Sequence, residues 1–281
     1  MKYIISIFMF MLAVSASAQQ GHKSNLRINI GSAMSSAGKG ATEVNASSLK
    51  NALKSAAQGD VDAQRTVGDC YFYGKGTERD YARAFMWYEK AAAQGNLDSQ
   101  LKMAECYHDG LGVEKSDKLY LQMLEKIGEA GAEDERVADI QYRLAEMYRE
   151  GNGVEKSEKK MAFWYEKAAE QGVVEAQNEI GICYANGRGV EPNKEKAFEW
   201  YRPAAENGYA DAQFNLGSCY YYGEGVKKDF KKAAEWFQKS AEQGNSSAQY
   251  ALSICYENGE GVPKSPALAE EWMKKYEDNP N

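Results

Sequence analysis

The sequence predicts an all-α fold in which helical hairpins stack one on another, and three recurrent patterns predict it. Gln64, Gln100, Gln141, Gln177, Gln213 and Gln249 head six corresponding segments, spaced 36, 41, 36, 36 and 36 residues apart. Tyr71, Tyr107, Tyr148, Tyr184, Tyr220 and Tyr256 share a second offset. Each is followed three residues later by a glycine (Gly74, Gly110, Gly151, Gly187, Gly223, Gly259), with another two residues on. Every tryptophan (Trp87, Trp164, Trp200, Trp236, Trp272) falls at one further position, which Met123 fills in the second repeat. A period of this size without a strand signal implies an α/α solenoid of helix-turn-helix units.

Met1–Ala18 reads as a signal peptide. Lys2 gives a positive start, Ile4 to Val14 is a short apolar run, and Ala16-Ser17-Ala18 forms a small-residue cleavage motif. The run is shorter than the about 20 residues that span a bilayer, so the mature chain, expected to start near Gln19, carries no stable membrane span. No cysteine accompanies the cut, and the expected location is periplasmic or secreted. Residues 19–48, rich in Gly, Ser, Ala and Lys, are expected to be a disordered linker.

Leu49 to Gly59 reads as a helix with Ser47 or Ser48 available as a cap. Its end, Ala56-Ala57-Gln58-Gly59, matches Ala92-Ala93-Gln94-Gly95, which makes it half a repeat covering the open end of the stack. The solenoid is expected over 49–277, with a short tail at 278–281.

Each full unit carries two helices. In the first, Ala63, Val67, Cys70 and Tyr71 share one face. Gly68, Gly181 and Gly217 stand in register with Ala104, Ala145 and Ser253. Glycine there costs about 1 kcal/mol against alanine, so small residues at all six positions imply that another helix passes close. The Gly-x-Gly follows a helix rather than a strand, which favours a left-handed helix cap and turn over a phosphate loop. The second helix holds the tryptophans, expected to pack between layers. Five extra residues precede Gln141, around Glu133-Asp134-Glu135, where a longer connection is expected. Pro203 removes one hydrogen bond from the fourth repeat's second helix and should bend it.

The formal net charge of −7 comes without a basic stripe, so no nucleic-acid partner is expected. Cys70, Cys106, Cys183, Cys219 and Cys255 all precede the repeated tyrosine, with Met147 in the third repeat. Equivalent residues on packed helices lie about 8–10 Å apart, beyond the about 4.4–6.8 Å between Cα atoms that a disulfide needs. Buried free thiols are expected. With no C-x-x-C pair and only His22 and His108 as histidines, no metal site is expected, nor any cofactor.

Together these features resemble the Sel-one-like repeat family, a relative of tetratricopeptide repeats. The pattern A-x-Q-x-x-L-G-x-x-Y-x-x-G-x-G-V…A-x-x-W-Y-x-x-A-A-x-x-G appears as Ala212-Gln213, Leu216-Gly217, Tyr220, Gly223, Gly225-Val226, Ala233, Trp236-Phe237, Ser240-Ala241 and Gly244. The second repeat departs from it, with Met123-Leu124 for Trp-Tyr. The resemblance implies a right-handed superhelical adaptor, here a monomer, whose repeats hold a protein or peptide partner.

In similar repeats the first helices line a concave groove. Carried over, the binding positions are Arg65, Asp69 and Phe72; Leu101, Glu105 and His108; Tyr142, Glu146 and Arg149; Asn178; and Phe214, Tyr221 and Tyr250, in a groove of roughly 60 Å at about 10 Å per layer. Asp69, Glu105 and Glu146 would form an acidic row, with aromatics toward the C-terminus, suiting an extended peptide. Two other readings stay open. Some family members bind or hydrolyse β-lactams, and Ser47-Ser-Leu-Lys50 and Ser157-Glu-Lys-Lys160 match S-x-x-K, but neither S-D-N nor K-T-G occurs. His108 with Glu105 reads as a surface pair rather than a catalytic dyad. Alternatively, Tyr221, Tyr222 and Tyr250 could stack against a glycan such as a peptidoglycan fragment. No catalytic residue is assigned.

Overall fold

The computed structural model describes residues 46–131 and 134–279. The signal segment, nearly all of the linker, Ala132, Glu133 and the last two residues lie outside them. The described residues form thirteen helices and no strand: α1 (Ala46–Ala57), α2 (Val61–Tyr73), α3 (Tyr81–Ala93), α4 (Leu97–Asp109), α5 (Asp117–Glu129), α6 (Glu135–Glu150), α7 (Glu158–Glu170), α8 (Val174–Asn186), α9 (Lys194–Glu206), α10 (Ala210–Tyr222), α11 (Phe230–Glu242), α12 (Ser246–Asn258) and α13 (Pro266–Glu277). This is the expected all-α solenoid. α1 opens at Ala46, so Ser47 and Ser48 lie inside the helix rather than ahead of it. Two compact units divide between Ile140 and Gln141, within α6.

Each hairpin is closed by the same groups. Asp80, Ser116, Ser157, Asn193, Asp229 and Ser265 cap the second helices with their side chains. Their backbone N–H groups donate to the carbonyls of Tyr71, Tyr107, Tyr148, Tyr184, Tyr220 and Tyr256. The first glycine of each Gly-x-Gly is a left-handed cap, as at Gly223 with φ 75°. The second glycine serves a different purpose: a Cβ on Gly225 would lie 2.1 Å from the Lys194 carbonyl oxygen, and one on Gly261 1.9 Å from that of Phe230. There, as at Gly112 and Gly189, it lets the turn sit against the start of the preceding repeat's second helix.

In the N-terminal unit, α1 buries Leu49 and Ala56 against Val67 and Cys70. A second cluster gathers Phe72, Phe85, Tyr88, Met103 and Cys106. In the C-terminal unit, Phe214, Phe237, Ala241, Leu252 and Cys255 form the core at the last two repeats. All five cysteines are buried, unpaired thiols, and burial pushes Cys106, Cys183, Cys219 and Cys255 up to about 12.

One expectation about packing is sharpened and another needs correction. The helix that passes close to the small residue is the second helix of the same repeat, which meets it with an aromatic ring. A Cβ on Gly68 would lie 2.6 Å from the Tyr88 ring, and one on Gly181 2.5 Å from that of Tyr201. The tryptophans are in register but are not the deepest side chains. Trp164 is buried, whereas Trp87, Trp200, Trp236 and Trp272 are half-buried. Lysines three residues on lie over three of those indoles, at 4.2 Å (Lys90), 3.9 Å (Lys239) and 3.9 Å (Lys275). The residue after the tryptophan is the core residue: Tyr88, Tyr165 and Phe237 are fully buried.

The insertion is partly absorbed as helix, α6 having 16 residues where the other first helices have 13. Arg136 near its start donates to Asp98 (2.6 Å) and Asp134. Pro203 lies inside α9, which keeps the 13 residues of its counterparts. α13 buries no residue. The small residues Ala234 and Ala241, which are buried in α11, correspond to exposed Glu270 and Glu277 in α13.

Candidate binding face

The first-helix positions one, two, five and eight residues after the repeated glutamine vary between repeats while their surroundings stay constant. In the N-terminal unit these come from α2 and α4. Arg65 is half-buried and donates to Asp69 (2.9 Å), whose second oxygen accepts from the Tyr88 hydroxyl (2.8 Å). Burial raises the Asp69 carboxyl despite the opposing Tyr88 hydrogen bond and Arg65 charge. On α4, the buried Lys102 donates to Glu105 (2.7 Å) and lies 4.5 Å over the Phe72 ring. His108 is exposed, its Nδ1 is 2.7 Å from Asp109, and its ring meets the edge of Tyr120. Its carboxylate neighbour is therefore Asp109, while Glu105 belongs to Lys102.

In the C-terminal unit α6, α8 and α10 bring together a denser group. The Tyr165 hydroxyl and Arg149 both donate to Glu146. Arg149 Nη1 also stands 3.9 Å from Glu179. Half-buried Tyr142 lies against the Tyr165 ring at 5.7 Å. Asp211 and Glu175 act electrostatically on Glu179 and Tyr142 respectively, and all four act on Tyr209. Burial pushes Glu179 up to about 7; Arg149 and Arg188 oppose it, while Glu146 and Asp211 add to it. Farther along, Tyr221 donates to Glu260 (2.6 Å) and packs edge-on against Tyr222 and Phe230. Tyr250 lies 5.3 Å from Tyr276.

Four of the expected binding residues are buried and cannot present themselves to a ligand. Phe72, Leu101, Asn178 and Phe214 are between 2% and 7% exposed. Phe72 and Phe214 pack on Tyr88 and Phe237, and Asn178 accepts from Asn215 Nδ2 at 2.9 Å. At the position directly after the glutamine, Leu101, Asn178 and Phe214 are closed over, whereas Arg65, Tyr142 and Tyr250 stay half-buried. Nor are Asp69, Glu105 and Glu146 a free acidic row, since each carboxylate is held by a cation of its own helix.

Sequence reasoning missed Lys102, Glu179 and Asn215, all two residues after the glutamine, and Tyr209 and Asp211 at the start of α10. Their signal was a polar residue at an otherwise unremarked offset, as in Asn178-Glu179-Ile180. Ser157, part of one S-x-x-K match, is the N-cap of α7. Among the described residues no group of histidine, cysteine and carboxylate side chains could hold a metal.

The raised Glu179 has a measurable consequence. Its folded pKa lies above its unfolded one, so the native state binds the extra proton between pH about 4.5 and about 7, and stability is lost as pH rises through that window. Asp69 and Glu146 are raised too and act with the same sign. We expect unfolding free energy to fall by on the order of 1–3 kcal/mol between pH 5 and pH 8, and Glu179→Gln to remove most of the fall. Equal slopes in urea titrations of variant and parent would rule out Glu179 as the source.

Six segments, residues 61–96, 97–131, 138–173, 174–209, 210–245 and 246–275, match the Sel1 repeat. The chain belongs to the Sel1 repeat family. Sel1 repeats are generally non-catalytic scaffolds that mediate protein interactions. Among solved structures, this Sel1 repeat chain is similar to a protective antigen present in uropathogenic Escherichia coli strains and displaying an SLR fold. It is 35% identical with a TM-score of 0.58, covering 82% of this chain and 48% of that one. The Sel1 chain thus spans about half the length of that relative. A Sel1 repeat protein from Oxalobacter formigenes is 31% identical over 78% of this chain and 86% of that one, with a TM-score of 0.47. The comparison with curated proteins returns no match. Among the described residues no helix is long and apolar enough to cross a membrane.

Proposed function

We propose that this Sel1 protein is an exported, non-catalytic scaffold that holds an extended, cationic segment of a protein partner on the face formed by α6, α8 and α10. One observation carries the reading. Glu146, Glu175, Glu179 and Asp211 share that face with Tyr142 and Tyr209, against the two cations Arg149 and Arg188. Excess carboxylate charge attracts lysine or arginine, and half-buried tyrosine rings offer flat area to the alkyl stems of those side chains at low entropy cost. The roles of Ser157 as a helix cap and of His108 as an exposed partner of Asp109 support a non-catalytic reading. The Met1–Ala18 pattern supports export, with periplasmic or secreted delivery.

The test uses the exposed members of the face, which the fold does not depend on. Glu175→Lys with Asp211→Lys should weaken binding of lysine-containing extended peptides at least tenfold by calorimetry, with helicity unchanged. Binding that survives the charge reversal, or that goes instead to peptidoglycan fragments or a β-lactam, would sink the placement. Mass spectrometry of the protein from the producing cell should find a mature N-terminus at Gln19.

A further inference from the structure

A side-chain clamp closes each repeat of the C-terminal unit where the sequence permits it. Gln243, the residue after α11, donates from one amide to both Gln213 Oε1 (2.7 Å) and the Gly208 carbonyl (2.9 Å). Gln213 in turn donates to the Ala205 carbonyl at the end of α9 (3.2 Å). Gln171 clamps Gln141 in the same way, at 2.6 Å. The corresponding residue after α9 is Asn207. It is one methylene shorter, and its amide turns back to the Pro203 carbonyl of its own helix (3.0 Å). Gln177, which should receive it, is 7% exposed, and its Oε1 is buried with no partner. In the last repeat Gln249 Oε1 is also orphaned opposite an asparagine, but Asn279 still reaches the Gly244 carbonyl (2.8 Å), so half of that clamp remains.

A second departure falls on the same helix. The position three residues after the tryptophan is Lys90, Lys126, Lys167, Lys239 or Lys275 in the other repeats and Pro203 in the fourth. Proline has no N–H, so the Glu199 carbonyl loses its helical donor. α9 thus lacks an internal hydrogen bond and its clamp, and leaves a buried amide oxygen unpaired beside it, a cost that the clamped repeats do not carry. We infer that α9 is a compliant joint, the first of the interior second helices α7, α9 and α11 to open. It connects α8 and α10, which carry Glu179 and Asp211, so its opening alters the spacing of the face between them. Local opening of this kind draws on the elements with the fewest satisfied polar groups.

Hydrogen exchange followed by mass spectrometry on the full chain reads this directly, with no partner required. Amides of α9 should exchange roughly tenfold faster than those of α7 and α11, the factor expected for one net hydrogen bond. Pro203→Lys with Asn207→Gln should bring α9 to the rate of α11. The reciprocal pair Lys239→Pro with Gln243→Asn should transfer fast exchange to α11. Should the first pair not fold, Asn207→Gln alone, at an exposed site, should still slow α9. Equal protection of α7, α9 and α11 in the parent protein would overturn the joint. So would a folded Pro203→Lys, Asn207→Gln variant whose α9 exchange is unchanged.

Discussion

Tyr165→Ala is expected to lower the unfolding free energy of the protein by about 4 kcal/mol, more than any tryptophan substitution outside Trp164. Tyr165 is fully buried in α7, stands in register with Tyr88, and donates its hydroxyl to Glu146. Truncation removes the ring from a core with nothing to refill it and leaves Glu146 to its pairing with Arg149. Trp236→Ala, by contrast, deletes a half-buried indole whose outer face is covered by Lys239, and should cost about 1–2 kcal/mol. Urea midpoints of the two variants decide between them. If the tryptophan truncation proves the costlier, the core has been placed on the wrong side chain. Tyr165→Phe then separates ring from hydroxyl, with a loss of about 1.5–3 kcal/mol for a hydrogen bond to a charged group.

Gly225→Ala should cost about 3 kcal/mol, the upper end of what a forced backbone conformation imposes. Two penalties coincide there. The residue sits at φ 68°, in the left-handed region, and its Cβ would lie 2.1 Å from the carbonyl oxygen of Lys194 at the start of α9. Backbone cannot swing aside as a side chain can, so the substitution pushes adjoining repeats apart. Gly153→Ala provides the comparison, since it shares the left-handed conformation (φ 74°) with no atom within 4 Å. It should cost only about 1–2 kcal/mol. Thermal melts giving the same loss for both would show that the conformation alone matters and that the close approach between repeats does not.

Much of this architecture is legible along the chain because a stacked array repeats its constraints. The glycine after each tyrosine implies a left-handed cap, and the structure places every one of Gly74 to Gly259 there. The cysteine preceding the tyrosine implies burial, and all five are buried. Depth was less legible. Trp236 and Phe237 are adjacent, equally apolar and equally periodic, and only the approach of Gly217 to the Phe237 ring puts the second of them in the core. The binding face was legible as a set of variable positions, but not as chemistry. Glu179 meets Arg149 across 30 residues, and Arg136 meets Asp98 across 38. No local spacing rule connects residues that far apart.

The sequence by itself determined the period, the helical hairpins, their caps and the small residues at close approaches, because each repeat carries the whole local specification. Only the tertiary structure decided which side chains lie deepest, which carboxylates already have cations, and where an asparagine falls short of its glutamine. Those properties depend on distances between helices, set when neighbouring repeats pack and not encoded in the spacing of either one.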